Sequence, residues 1–183
     1  MSEDDRQHWD ARYAEGGMAP PGDHGPPPGL TAVAHLIPTT GFALDIACGR
    51  GRTAVWLALR GMDVFAVDVS PVAIDLAREL ASLSEVAERC GFEVFDLDQG
   101  LPESPQADLV LCHLFRDPRL DQLMMDRLAP GGLLAIAVLS EVGVGPGPFR
   151  ARQGELVEAF DAIEVLAADE VDGLAWLVGR RPG

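Results

Sequence analysis

The feature that most constrains the fold is a glycine-rich turn that directly follows a short apolar run. The run FALDIA, residues 42–47, leads into CGRGRTA, residues 48–54. Gly49, Gly51 and Ala54 have the G-x-G-x-x-G/A spacing of a turn that joins a buried strand to a helix. In open α/β sheets such a turn lies at the carboxyl ends of the strands, where nucleotide-like ligands bind. The sequence therefore indicates an α/β fold with its ligand site at this turn.

Apolar runs and helical patterns alternate on both sides of the turn. Further strands are predicted at 62–68, 92–96, 107–113 and 132–139, and helices at 8–15, 30–37, 53–60, 71–90, 120–129 and 154–160. The helix that starts at Ser70-Pro71, an N-cap followed by proline, is expected to run nearly to Gly91.

The C-terminal part of the chain departs from this alternation. Two β-runs, residues 162–169 and 173–180, are joined only by the short acidic turn EVDG. A parallel crossover needs a dozen or more residues, so these strands are expected to form an antiparallel hairpin. The prediction is a Rossmann-like, seven-stranded, mostly parallel sheet with one antiparallel strand and helices on both faces.

Length and composition favour one domain without a nucleic-acid or membrane partner. The chain has 183 residues, 48% of them hydrophobic, and its net charge of -15 would repel a phosphate backbone. All 14 basic residues are arginine, which excludes a P-loop lysine and a Schiff-base lysine. The acidic N-terminus has no signal-peptide pattern, and no apolar run approaches the roughly 18 residues of a membrane span. A cytoplasmic protein is expected.

The cysteines and histidines do not indicate a metal site. The three cysteines, Cys48, Cys90 and Cys112, are odd in number and form no C-x-x-C pair. His8, His24 and His35 share no ligand spacing with His113. We therefore expect no metal and a reducing compartment.

Two aspartates decide which ligand the turn favours. Asp68 ends the second strand, 19 residues after Gly49, where an acid accepts hydrogen bonds from ribose hydroxyls. Asp45 precedes the turn, and a carboxylate there would repel a pyrophosphate but attract an ammonium or sulfonium group. S-adenosylmethionine carries both cations and an adenosine. Arg50 and Arg52 leave a dinucleotide open, because they are able to offset Asp45 or to meet the methionine carboxylate.

Several motifs together resemble those of class I S-adenosylmethionine-dependent methyltransferases, and among them the small tellurite-resistance and thiopurine methyltransferase-like group. LDIACGRGR is similar to the first motif of that group and VFAVDVS to the second, while FEVFDLDQGLP is similar to the motif whose Asp-Leu pair holds adenine. WDARY resembles the group's N-terminal segment, LAPGG its turn before strand five, and FRARQGEL the segment before its last helix. The resemblance covers nearly the whole chain.

The resemblance implies one methyltransferase domain over residues 1–183, with residues 1–40 covering the site and residues 41–183 forming the catalytic core. The predicted cofactor-binding residues are Asp45, Ala47, Cys48, Gly49, Gly51, Arg52, Asp68, Val69, Asp96, Leu97 and His113. The predicted substrate-binding residues are Trp9, Tyr13, Arg116, Phe149 and Arg150. Ala47 stands where the family commonly has glycine, and its methyl group is expected to crowd the carbonyl that binds the methionine ammonium.

The expected reaction is in-line methyl transfer to a small-molecule acceptor, with S-adenosylhomocysteine as the product. His113, at the end of the fourth strand, is the candidate base for a hydroxyl or ammonium acceptor, and it lines the pocket if the acceptor is a soft anion. Trp9 and Tyr13 fit packing on a helix face as well as a lid over the cofactor. Two other functions stay open on the sequence alone: an NAD-type oxidoreductase, and a cofactor-binding module without catalysis.

Overall fold

A computed structural model of the chain describes residues 3–17, 25–147 and 150–183. The backbone forms two compact units, one comprising Met1–Gly25 and Thr39–Ser104, the other Pro26–Pro38 and Pro105–Gly183. Within the described residues, no helix is long and apolar enough to cross a membrane.

The first unit holds three parallel strands and three helices. Its elements are α1 (Glu3–Gly16), β1 (Phe42–Ile46), α2 (Arg52–Arg60), β2 (Asp63–Asp68), α3 (Pro71–Leu83) and β3 (Cys90–Val94). The strand order is β3-β2-β1, and both pairings are parallel. β1 is buried over four of its five residues, as expected for a strand covered on both faces. The carboxyl ends of β1 and β2 therefore meet at one edge, where Asp45 and Asp68 lie.

The second unit contains the other four strands, one of which runs antiparallel to its neighbours. Its elements are β4 (Ala107–His113), α4 (Asp121–Arg127), β5 (Leu128–Leu139), α5 (Glu155–Ala159), β6 (Glu164–Val171) and β7 (Leu174–Arg180). The order is β4-β5-β7-β6, with β4 parallel to β5 and β7 antiparallel to both of its neighbours. Asp172 and Gly173, with φ of 50° and 81°, form the hairpin turn. The predicted seven-stranded sheet with a C-terminal hairpin is confirmed.

The helix predicted to run to Gly91 ends at Leu83 instead. Glu85 adopts a left-handed conformation with φ of 59°, and the Val86 and Glu85 N–H groups donate to the carbonyls of Ala81 and Ser82. These two bonds form a Schellman motif, which stops a helix whatever the apolar pattern beyond it. Gly91 consequently lies inside β3, which starts two residues earlier than predicted.

The predicted helix over residues 30–37 is also wrong. This segment consists of turns followed by a three-residue 3₁₀ helix, Ala34–Leu36. Leu30, Val33 and Ile37 are nevertheless buried. The apolar spacing therefore reflects the burial of these side chains in a series of turns and does not indicate a full helix.

Candidate functional site

The glycine-rich turn between β1 and α2 depends on left-handed backbone conformations. Ala47, Gly49 and Gly51 have φ values of 55°, 53° and 73°. A Cβ atom on Gly51 would lie 2.6 Å from the Cβ of Ala77, so glycine is required for the turn to pack against α3. The Cys48 N–H donates to the Val67 carbonyl at 2.9 Å and ties the turn to β2. The predicted turn is thus formed, with its closest packing at Gly51.

Ala47 occupies its left-handed conformation at an energetic cost that glycine would avoid. We expect Ala47→Gly to raise the free energy of unfolding by about 1 kcal/mol, because a Cβ atom in this region costs about 1–2 kcal/mol and added unfolded-state freedom offsets part of the gain. Urea unfolding measures the change. Ala43→Gly, at a fully buried β1 position, is the control and should destabilise. A loss of stability in Ala47→Gly would contradict the strain.

Asp68 is held rigidly at the end of β2. Its side chain is 5% exposed, and its two oxygens accept hydrogen bonds of 2.9 Å from the N–H groups of Gly49 and Ser70. Burial raises the pKa of its carboxyl, and the backbone N–H groups of Ser70, Gly49 and Val69 lower it in part. The bond to Gly49 fixes the aspartate to the turn, and its contact with ribose hydroxyls stays a prediction.

Asp45 is a buried carboxyl group with an incomplete set of hydrogen bonds. Its side chain is 1% exposed, and one carboxyl oxygen has no hydrogen-bond partner in the part of the chain that the structure describes. Burial raises its pKa to about 8, the charge of Asp68 adds to this effect, and a hydrogen bond from the Ala54 backbone opposes it. A buried polar atom without a partner is rare in folded proteins and calls for a ligand or an ion.

Helix α1 lies against the turn through contacts that the sequence did not predict. Arg50 donates to the carbonyls of Gly16 and Gly17 at 3.0 and 2.6 Å, which caps the C-terminal end of α1. Near the middle of the helix, Asp10 accepts a hydrogen bond from the buried hydroxyl of Ser70. The guanidinium of Arg50 is therefore engaged with backbone oxygens of α1.

Tyr13 places the aromatic face of α1 over the turn. A Cβ atom on Gly49 would lie 3.0 Å from the Tyr13 hydroxyl, so the glycine permits this approach. The Trp9 ring stacks on Tyr13 with a centroid separation of 5.7 Å. Burial and the nearby Asp68 raise the pKa of the Tyr13 phenol, which stays neutral at physiological pH. The two aromatic residues pack on each other and, through Tyr13, against the turn; their contact with a substrate stays a prediction.

Cys48, in the turn, is a neutral thiol. Burial raises its pKa well above the ordinary value, and the carboxyl groups of Asp45 and Asp68 raise it further. Since the thiolate is the reactive form, this environment opposes a nucleophilic role.

Asp96 and Leu97 follow β3. Asp96 accepts a hydrogen bond of 3.0 Å from the Asp98 N–H and caps a short 3₁₀ turn, Leu97–Gln99, while the Leu97 side chain is 2% exposed. The Phe95 N–H donates to the Asp68 carbonyl, which holds this segment beside β2. A turn-capping role for Asp96 is thus observed, and its contact with adenine stays a prediction. Val69 is buried and Arg52 is exposed at the start of α2.

In the second unit, Arg116 is engaged in a buried ion-pair network. Its guanidinium is 6% exposed and donates to Glu155 at 2.9 Å and to both carboxyl oxygens of Asp121. Burial raises the pKa of Glu155, but hydrogen bonds from Arg152 and Arg116 outweigh it, so the pKa lies below its ordinary value. The predicted substrate-binding role of Arg116 competes with this structural role.

The other predicted site residues of this unit are His113, Arg150 and Phe149. His113 ends β4 as expected, opposite Ala137 of β5, and is half-buried. Arg150 donates to the Ser140 carbonyl at 2.7 Å, so it joins the segment after β5 to the end of that strand. Phe149 lies outside the described residues. Among the described residues, no three His, Cys, Asp or Glu side chains are grouped to hold a metal ion.

Comparison with known proteins gives consistent matches. The family described as "Methyltransferase domain" matches residues 43–132. A protein of Synechococcus sp., named only as uncharacterized, is 30% identical over an alignment that covers 87% of this chain and 41% of that protein. Magnesium-protoporphyrin O-methyltransferase of Rhodobacter capsulatus is 44% identical over 54 residues, 30% of this chain and 24% of the enzyme. The chain thus spans less than half the length of either relative.

The fold has close structural counterparts. TehB from Haemophilus influenzae superposes with a TM-score of 0.73 at 19% identity, over 96% of this chain and 66% of TehB. The likeness establishes a shared fold.

Proposed function

We infer that this chain is a class I S-adenosylmethionine-dependent methyltransferase, and on that premise we propose that it transfers a methyl group from S-adenosylmethionine to a small-molecule acceptor. The family match spans the first strand, the glycine-rich turn and the segment up to β5. The net charge of -15 opposes a nucleic-acid acceptor. We expect the protein to act in the cytoplasm, where its three free cysteines stay reduced.

The observation that carries the proposal is the pair of buried carboxyl groups at the turn. Asp45 and Asp68 are 1% and 5% exposed, and one oxygen of Asp45 is without a partner among the described residues. A bound cation is balanced when these carboxyl groups are ionised, whereas a pyrophosphate finds no such compensation beside them. Arg50 keeps its positive charge while its guanidinium donates to carbonyls of α1, but it is not among the groups that shift the pKa of Asp45. This charge arrangement favours S-adenosylmethionine over NAD.

The proposed cofactor contacts follow the elements of the first unit. Asp68 accepts hydrogen bonds from the ribose hydroxyls, and Asp45, with the Ala47 backbone, faces the methionine ammonium. The turn residues Cys48, Gly49, Gly51 and Arg52 surround the methionine portion, and Val69, Asp96 and Leu97 surround the adenine. α1 covers the site, with Tyr13 over Gly49.

The proposed reaction depends more on alignment of the acceptor with the methyl donor than on a catalytic side chain. Bound S-adenosylmethionine supplies a methyl group that its sulfonium already activates. In the proposed transfer the acceptor atom would bond to the methyl carbon as the carbon–sulfur bond breaks, and the electron pair of that bond would stay on sulfur. Holding the partners in line and excluding water is worth about 7–11 kcal/mol. His113 takes a proton from a hydroxyl or ammonium acceptor and only lines the pocket if the acceptor is a thiolate.

Transfer of a labelled methyl group tests the activity. The purified chain is incubated with methyl-labelled S-adenosylmethionine and panels of thiols, amines and hydroxy acids. We expect label in at least one acceptor class, and its loss in Asp68→Ala. If a hydroxyl or amine acceptor is labelled, His113→Gln should lower the rate about 100-fold, since general-base catalysis contributes roughly 10²–10⁴-fold. Cofactor binding without transfer to any panel member would favour a non-catalytic binding protein instead.

A further inference from the structure

The two buried carboxyl groups of the first unit lie on neighbouring strands. Asp45 is opposite Ala66 in the parallel pairing of β1 with β2, and Asp68 follows two residues later. Asp68 has its charge supported by N–H groups of Gly49 and Ser70. Asp45 has only the Ala54 N–H, and its second oxygen has no partner in the described residues. The folded protein therefore stabilises a negative charge on Asp68 better than a negative charge on Asp45.

Among the described residues, the groups that shift the pKa of Asp45 include no positive charge. Asp68 approaches from β2, Cys48 from the turn and Cys90 from β3, and all three are acidic or neutral. From α1, Tyr13 faces Asp68 as a neutral phenol. From α2, the Ala54 N–H donates to the Asp45 carboxyl. An isolated buried carboxylate is costly enough that the group takes up a proton instead.

We propose that Asp45 exchanges a proton for the cationic end of the cofactor: it is neutral in the empty site and ionised in the complex, so binding releases one proton. This inference rests on the proposed function, since it requires a cationic ligand at the turn. The proton leaves the Asp45 carboxyl for solvent, and the ammonium of the ligand then balances the carboxylate. A neutral or anionic ligand gives no such compensation, so the exchange also makes the site selective for cations.

The exchange predicts how affinity depends on pH. Burial places the pKa of Asp45 at about 8, so below that pH each complex releases close to one proton. The dissociation constant for S-adenosylmethionine should therefore fall up to about tenfold per unit as the pH rises from 6 to 7.5. A group that was already ionised in the empty site would leave the affinity constant over this range.

Isothermal titration calorimetry measures the proton directly. S-adenosylmethionine is titrated into the full chain at pH 6.5, where an ordinary α-amino group is protonated, in three buffers with different ionisation enthalpies. The slope of the binding enthalpy against buffer ionisation enthalpy gives the number of protons released. We expect a value near one for the wild type and near zero for Asp45→Asn. Asp63→Asn, an exposed site on the neighbouring strand β2, is the control and should retain the wild-type value.

The outcomes separate this inference from the proposed function. Binding with a buffer-independent enthalpy in the wild type overturns the proton exchange and leaves the cofactor assignment standing. No binding of S-adenosylmethionine overturns the proposed function and the exchange with it. If Asp45→Asn is unfolded by circular dichroism, the wild-type dissociation constants at pH 6 and 7.5 decide, because a constant affinity contradicts the exchange.

Discussion

Replacement of Asp45 by asparagine is expected to change the free energy of unfolding of the ligand-free protein by an amount that depends on pH. The difference between the variant and the wild type should be about 3–4 kcal/mol more favourable to the variant at pH 9 than at pH 5. The pKa of Asp45 is raised to about 8 by burial, so the folded state holds this proton more tightly than the unfolded chain does. The resulting stabilisation is complete below the ordinary aspartate pKa. It is lost at about 1.4 kcal/mol per pH unit as the pH rises to about 8.

Urea unfolding at pH 5, 7 and 9 measures this effect as the difference between the variant and the wild type. Titrating groups that do not interact with Asp45 contribute equally to both proteins and cancel in the difference. Asp63→Asn is the control and should change the free energy of unfolding by less than about 1 kcal/mol, since its side chain is 70% exposed in its pair with Arg89. A pH-independent difference for Asp45→Asn would show that the carboxyl is already ionised in the folded protein at pH 5.

Replacement of Arg116 by alanine is expected to lower the free energy of unfolding by about 3–5 kcal/mol. The side chain is 6% exposed, and its loss would leave Asp121 and Glu155, 14% and 16% exposed, without their common counter-ion. Removing one member of a buried ion pair is costly because the remaining charge stays desolvated. The measurement is chemical denaturation of the ligand-free protein.

Arg119 provides the matched control for Arg116. Its side chain is 68% exposed in a pair with Asp117, so Arg119→Ala should cost less than about 1 kcal/mol. If Arg116→Ala keeps wild-type stability but loses methyl transfer, the arginine binds the acceptor, as its position after β4 suggested from the sequence. A large loss of stability supports the structural role instead.

The site residues at the ends of strands were predictable because the apolar run of the strand and the polar residue at its end stand together in one short stretch of sequence. β1, β2 and β4 appear as apolar runs, and each ends at or beside a residue of the predicted site: Asp45, Asp68 and His113. The turn glycines were predictable from spacing, because a left-handed turn between strand and helix admits few other residues.

The features that escaped prediction depend on partners distant in the sequence or on backbone conformation. Arg50 bonds to carbonyls 33 and 34 residues earlier in the chain, and Arg116 pairs with Glu155, 39 residues later. No spacing rule relates such residues. The end of α3 escaped because apolar residues continue at helical spacing past Glu85, while the left-handed conformation at that residue ends the helix.

We propose that the turn between β1 and α2 binds a cationic adenosyl cofactor and not a dinucleotide. Thermal denaturation of the wild type and Asp68→Ala with S-adenosylmethionine, S-adenosylhomocysteine or NAD distinguishes the two ligand classes. Ligand at about 100 times its dissociation constant stabilises by about 2.7 kcal/mol. We expect this stabilisation with the two adenosyl compounds and not with NAD. Asp68→Ala should bind them at least about tenfold more weakly, about 1.4 kcal/mol. Stabilisation by NAD alone would show that the turn binds a dinucleotide instead.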